Sequence, residues 1–273
     1  MSDFDPFAAE WITYAKSPQY TLVEKCLKLS QVLEFPNLDI TEYVQKLRSF
    51  EQGLCEHVSD VKNPIYLVSM LNEYMFDILG FEGDDDDYYN PQNNFLNVVI
   101  DKRSGIPITL SIMYIEVARA VGLELRPVGF PGHFLVKYSE ELILDPFNRG
   151  GLLDIEDLQD ILDAAFGDGV EFEPEYLNDI EPEKILIRIL RNLKGSYTES
   201  FSYEKAMHCI NMVLGLEPAS PEDIRDKGII QLRLLQKDLA LISLNKYLEL
   251  APEADDVDDI LEMIKSIKEK SNQ

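Results

Sequence analysis

Apolar residues recur at helical spacing through the first eighty positions of the chain. Leu22, Val23, Cys26, Leu27 and the run from Leu29 to Leu33 share one helical face. A break at Phe35-Pro36-Asn37-Leu38-Asp39 ends that helix. Asp39 or Thr41 can cap the next one, which carries Tyr43, Val44, Leu47 and Phe50. A further helix is expected from about Pro64 to Leu79, its apolar face made by Tyr66, Leu67, Met70, Leu71, Tyr74, Met75 and Ile78, with Gly80 to stop it.

The centre of the chain changes pattern. Phe95 to Lys102 reads as a short helix. Pro107 then stands where a first helical turn would begin, just after Ser104 and Gly105. From Pro107 to Val121 the residues are apolar almost all round, which is the mark of a helix buried in the middle of a domain, and Gly122 ends it. The period then becomes two. Leu123, Leu125 and Pro127-Val128 predict one strand; His133 to Tyr138 and Leu142 to Asp145 predict two more, joined by a polar turn at Ser139-Glu140-Glu141. A buried helix followed by an antiparallel sheet is an α+β plan. From about residue 150 the helical period returns. Glu171-Phe172-Glu173-Pro174-Glu175 reads as a linker, and Glu181-Pro182 opens a helix carrying Ile185 to Leu193.

The last third repeats itself. Leu214-Gly215-Leu216-Glu217-Pro218 matches Leu248-Glu249-Leu250-Ala251-Pro252, and Ala206 matches Ala240, at an offset of about 34 residues, the length of a tetratricopeptide unit. Two copies are few for such a stack. The helix at 185–195, or the preceding domain, is expected to cover one open end, and the acidic helix near 255–270 the other.

Composition narrows the function classes. Of 273 residues 45% are hydrophobic, enough for a substantial core. The formal net charge is −25, and Lys and Arg form no cluster. Such a surface repels phosphate backbones and anionic lipid, so neither nucleic acid nor membrane is an expected partner, and a protein partner should bring basic residues. The three scattered cysteines, Cys26, Cys55 and Cys209, make no disulfide framework and fit a reducing, cytoplasmic setting. The acidic start from Met1 to Pro6 is unlike a signal peptide, and no stretch of about 18 residues is free of charge.

Candidate chemistry centres on His133 and Asp145. A hairpin turning near Ser139 sets them opposite each other on one face, with Cβ atoms roughly 5 Å apart, where a carboxylate can fix the tautomer of an imidazole. A structural His–Asp pair closing a hairpin satisfies the same spacing. His57 and His208 lie in helical segments without an acidic or cysteine partner at ligand spacing. The run Asp84 to Asp87 lacks the spacing of a calcium loop and reads as solvated. No zinc pattern, phosphate loop or nucleotide fingerprint is present, so no metal or cofactor is expected.

Several segments resemble the SirB-type family of transglutaminase-like proteins with C-terminal tetratricopeptide repeats. They are Asp87-Tyr88-Tyr89-Asn90-Pro91-Gln92-Asn93-Asn94-Phe95-Leu96-Asn97, Arg103-Ser104-Gly105-Ile106-Pro107-Ile108-Thr109-Leu110-Ser111, Gly129-Phe130-Pro131-Gly132-His133-Phe134-Leu135-Val136 and Leu144-Asp145-Pro146-Phe147. Asn192-Leu193-Lys194 and Arg225-Asp226-Lys227-Gly228 extend the likeness into the repeats. In the wider papain/transglutaminase group, the resemblance implies, a cysteine at the start of the buried helix attacks an acyl carbon, and a histidine and an aspartate on following strands complete the triad. Aligning Arg119-Ala120-Val121-Gly122 with the end of that helix puts Gly105-Ile106-Pro107 on the Gly-x-Cys of the active members. Pro107 then takes the nucleophile position, while His133 and Asp145 take the other two.

The expectation is therefore an α+β papain/transglutaminase-like domain followed by an all-α tetratricopeptide-like region. Residues 1–80 would form a helical N-terminal part, 81–180 the core of the same domain and 181–273 the repeats. The expected role is a non-catalytic interaction or regulatory module acting through its repeats. The alternative is a hydrolase or acyl-transfer enzyme using His133 and Asp145 with a non-cysteine nucleophile, for which Thr109 and Ser111 are the nearest hydroxyls.

Overall fold

The computed structural model describes residues 6–58 and 63–271. The segment from Met1 to Asp5, read above as unlike a signal peptide, lies outside them. Two compact units are present: Gln19–Leu186, and a second in which the first helix, α1 (Pro6–Lys16), joins the helices from Ile187 onward.

In the first unit the helices begin where side chains can satisfy their free N–H groups. Thr21 and Glu24 form a reciprocal capping box at α2 (Leu22–Leu33). Of the two candidates for the next cap it is Asp39 that serves, accepting from Thr41 N and Glu42 N at the head of α3 (Ile40–His57). Asn63 does the same for α4 (Pro64–Asn72). The single helix expected to Leu79 is α4 followed by a π-helical turn, Glu73–Ile78. Widening that turn lets three consecutive side chains, Tyr74, Met75 and Phe76, all be buried. Gly80 follows with a φ of 74°.

The short helix α5 (Leu96–Lys102) leads to the central α6 (Pro107–Arg119), with Pro107 at the first helical position and eleven of its thirteen residues buried. A two-stranded parallel ribbon, β1 (Glu82–Gly83) with β2 (Ser104–Gly105), ties the loop after the π turn to the entrance of α6. It is too short to announce itself in the sequence.

The period-two segments form a four-stranded antiparallel meander in the order β3 (Arg126–Val128), β4 (Leu135–Ser139), β5 (Leu142–Asp145), β6 (Gly151–Leu153). α6 packs on β3 and β4, and Leu158 and Leu162 of α7 (Ile155–Phe166) pack with Leu135 and Ile143. Two expectations change here. His133 precedes β4 instead of opening it, in a turn closed by His133 N donating to Phe130 O. The expected linker at 171–175 is also packed: Phe172 lies against the sheet–α7 core and its N–H donates to the Gln159 side chain.

The second unit holds α8 (Pro182–Glu199) from Ile187 onward, α9 (Tyr203–Leu216), α10 (Pro221–Arg233), α11 (Lys237–Leu250) and α12 (Val257–Ser271). The matched alanines, Ala206 and Ala240, are fully buried. Gly228 allows α10 to approach α11, since a Cβ there would lie 2.7 Å from the Leu244 side chain. α12 packs on α11 through Ile260, Ile264 and Ile267, as an end cap should. The partner of α9 was not foreseen. α1 packs against it, with Trp11 fully buried, and a Cβ on Gly215 would strike Ile12 at 2.0 Å. Lys16 Nζ donates to Gly215 O at 2.9 Å, a cation at a helix C-terminus.

Candidate functional site

Two local structures bring His133 and Asp145 together. The first is the turn Phe130-Pro131-Gly132-His133. Gly132 has a φ of 71°, and a Cβ there would lie 2.5 Å from the Cβ of Ala165 in α7, so glycine is required both by conformation and by space. The second is the turn after β5. Asp145 Oδ1 accepts from Phe147 N at 3.0 Å and Asn148 N at 3.4 Å, which folds the chain back towards β6. That leaves Oδ2 pointing at the histidine. It accepts from His133 Nε2 at 2.8 Å and from Asn148 Nδ2 at 2.7 Å.

The pairing is not the cross-strand one the spacing predicts. In β4 and β5 Val136 faces Leu144 and Lys137 faces Ile143, with an irregularity before Ser139. That register, continued, lies two residues from the expected one, and a two-residue slip leaves every side chain on its expected face. His133 therefore lies near Phe147 as well, the two rings edge to face at 6.0 Å. Tyr88 also packs edge to face with Phe147, and Gly83 gives the Phe147 ring its room, a Cβ there being only 2.7 Å away.

The Asp145 side chain is 1% exposed and that of His133 13%. Burial by itself raises the Asp145 carboxyl, but hydrogen bonds from His133 and Asn148, together with the charge of His133, outweigh it and hold the group below the ordinary aspartate range. Asp145 is thus a carboxylate, and Nε2 of His133 is the donor to it.

A second layer holds the Asp145 turn in place. Tyr114 of α6 donates to Asn72 Oδ1 at 2.6 Å, and Asn72 Nδ2 donates to Gly150 O at 2.9 Å. Gly150 has a φ of 68°, with Asn72 where its Cβ would be. Arg149 pairs with Asp77 of the π-helical turn. Sequence reasoning missed Phe147, Asn148, Asn72 and Tyr114. Only Asn148, three residues after the aspartate of an Asp-Pro pair, carries a local signal, that of a side chain bonding its own turn.

The candidate nucleophiles lie elsewhere in the bonding scheme. Thr109 is 1% exposed; its Oγ1 accepts from Ile106 N and lies 3.0 Å from Asn93 O and 3.1 Å from Ile106 O. Ser111 is fully buried and donates to Phe134 O at 3.4 Å. Cys55 donates to Ala120 O, at the far end of α6 from Pro107, about 20 Å along a helix of that length. Cys26 is buried, and burial pushes its thiol up to about 12. Cys209 is buried in the other unit. The aspartate run builds its own loop: Asp84 accepts from Asp87 N and Asn93 Nδ2, and Asp87 from Asn90 Nδ2. His57 faces Glu73 at 3.6 Å, beyond hydrogen-bond distance.

A buried helix begun by proline, an antiparallel sheet against it and a histidine–aspartate pair at the sheet define a transglutaminase-like domain, here joined to tetratricopeptide-like helices. Residues 41–191 match the family model described as transglutaminase-like superfamily, and residues 193–265 that of a tetratricopeptide repeat. The chain belongs to the transglutaminase-like superfamily and, within it, to the SirB-type proteins named UPF0162. It is 37% identical over 231 residues to the UPF0162 protein of Xylella fastidiosa strain Temecula1, covering 82% of each chain. It is 28% identical over 177 residues to that of Vibrio cholerae, covering 63% of this chain and 65% of the other. It is also 32% identical over 158 residues to human F-box only protein 21, covering 53% of this chain and 24% of that one.

Proposed function

We propose that this protein is a non-catalytic interaction module, in which the repeats contact a protein partner and the transglutaminase-like domain keeps its histidine–aspartate pair without a nucleophile to serve. The observation that carries this is the start of α6. Pro107 is the first residue of this helix, where the resemblance to the papain/transglutaminase group expects the attacking cysteine, and proline has no group that can attack. The hydroxyls further along the helix are spent on backbone carbonyls. The pair itself is tied to the turn that follows it, as a structural brace would be.

The contact surface in this reading is the groove between α8 and α10. Lys194, Thr198, Glu199, Asp226, Ile229 and Ile230 line a cavity of about 350 Å³, within the range of roughly 300–1,000 Å³ typical of ligand pockets. Repeats of this kind present such grooves to peptides or domains. The net charge of −25 favours a partner with exposed basic residues, in the cytoplasm, and disfavours nucleic acid. No helix among the described residues is long and apolar enough to cross a membrane.

The test is native co-purification of the intact chain, His133→Ala and Ile229→Asp. A stoichiometric partner retained by His133→Ala and lost on Ile229→Asp is expected. A species accumulating only on His133→Ala would instead favour an acyl-transfer or hydrolytic enzyme working through His133 and Asp145. Equal retention by Ile229→Asp would remove the repeat groove as the contact.

A further inference from the structure

The outer end of the sheet carries a groove of about 420 Å³ whose lining includes neither His133 nor any repeat helix. Its walls are apolar: Ile143 of β5, Leu153 of β6, Leu158 of α7, and Phe172 and Pro174 from the segment that follows. Ile155, at the first position of α7, lines it while remaining 68% exposed. Among the described residues no lysine or arginine lines the groove, but carboxylates do. Glu140 and Glu141 come from the β4–β5 turn and Asp154 from the junction of β6 and α7. The wall residues Phe172 and Pro174 stand between Glu171, Glu173 and Glu175, all three exposed.

These charges are not equal. Glu140 is paired with Lys137, and Asp154 caps α7 by accepting from Glu156 N and Asp157 N. Glu141 and the three glutamates of 171–175 form no ion pair among the described residues. They give the rim its field. Beside it, β6 is the end strand of the sheet, hydrogen-bonded among the described strands to β5 alone, and Leu152 on it is exposed. An end strand next to an apolar groove suits an extended chain, whose alternate side chains reach opposite sides.

We propose that this groove docks an extended segment of a protein partner, an apolar side chain seated between Leu153 and Phe172 and flanked by lysine or arginine residues that meet Glu141 and the glutamates of 171–175. The apolar walls give nothing to a phosphate backbone, and the rim repels an acidic peptide. This surface lies on the unit Gln19–Leu186 and does not depend on the repeat groove.

Fluorescence anisotropy on the full-length chain tests it. The probe is a labelled peptide alternating leucine and arginine; the controls replace all leucine by serine or all arginine by glutamate. The variants are Ile155→Lys and Glu141→Lys, both at exposed positions, with circular dichroism to verify folding, and Ile229→Asp in the repeat groove. The leucine–arginine probe should bind, the serine and glutamate controls should bind at least about tenfold more weakly, and each of Ile155→Lys and Glu141→Lys should weaken the probe by about tenfold while Ile229→Asp does not. Binding of the serine control equal to that of the probe would reduce the interaction to net charge and overturn the inference. So would a probe affinity that Ile229→Asp lowers and the two groove variants leave unchanged, an outcome that would still favour the repeats as a docking site.

Discussion

At the scale of single residues, the consequences of the His133–Asp145 pair are those of a buried carboxylate with four hydrogen bonds. Its ionised form is favoured by folding, because its partners are lost in the unfolded chain, where an aspartate titrates near pH 3.9. The stabilisation is therefore complete above about pH 4 and is lost as the pH falls below that value through the lowered folded-state pKa. Asp145→Asn should cost about 2 kcal/mol at pH 7, and the difference from the parent chain should shrink at pH 3. Urea midpoints at the two pH values measure this; a pH-independent difference would mean that the charge of Asp145 contributes nothing. Residue chemistry was the most legible layer of the site. The two types of side chain and their spacing pointed to a pair, while Asn72 and Tyr114, which hold its turn from more than thirty positions upstream or from another helix, left no local trace.

At the scale of elements, α6 decides what the site can do. Its N-terminus is the point where a proline fits well, needing no N–H partner, and where a cysteine would be most reactive. Thr109 then acts as a staple, linking the first turn of α6 to Ile106 and to the backbone of Asn93. Thr109→Val should remove about 1–2 kcal/mol of stability, with co-purification of the partner unaffected at temperatures where the variant is folded. Loss of partner from a folded Thr109→Val chain would give the hydroxyl a role beyond the staple. The elements themselves were readable wherever they were long. α2 follows from apolar periodicity, α3 from periodicity and its cap, and α6 from a proline followed by residues apolar almost all round. The ribbon β1–β2 and strand β6 do not, because two or three residues carry no period. The π-helical turn was invisible for a different reason: it is a response to burying three neighbours at once, which depends on what surrounds them.

At the scale of the whole molecule, the excess of acidic side chains is the dominant property. Exposed charges act over a Debye length of about 10 Å at 0.1 M salt. Association with a basic partner should therefore slow several-fold between low and high ionic strength, while dissociation from an apolar groove changes less. Stopped-flow or surface-plasmon rates at two salt concentrations would show this; an association rate indifferent to salt would exclude electrostatic steering.

The sequence by itself determined the class of fold, the buried helix, the strand-rich centre and the repeat unit, since each is written in a local period or a fixed offset. It also placed Pro107 at the first position of that helix, where the resemblance to the papain/transglutaminase group expects a cysteine. Tertiary structure alone decided the register that sets His133 in a turn beside Phe147, the packing of α1 on α9, and the acid-rimmed groove assembled from β5, β6, α7 and the 171–175 segment. The physical reason is the same in each case. Period and spacing report which face of an element is apolar, but the identity of the neighbour that covers the face is fixed by complementary shape between segments far apart in the chain, as Gly215 receiving Ile12 illustrates.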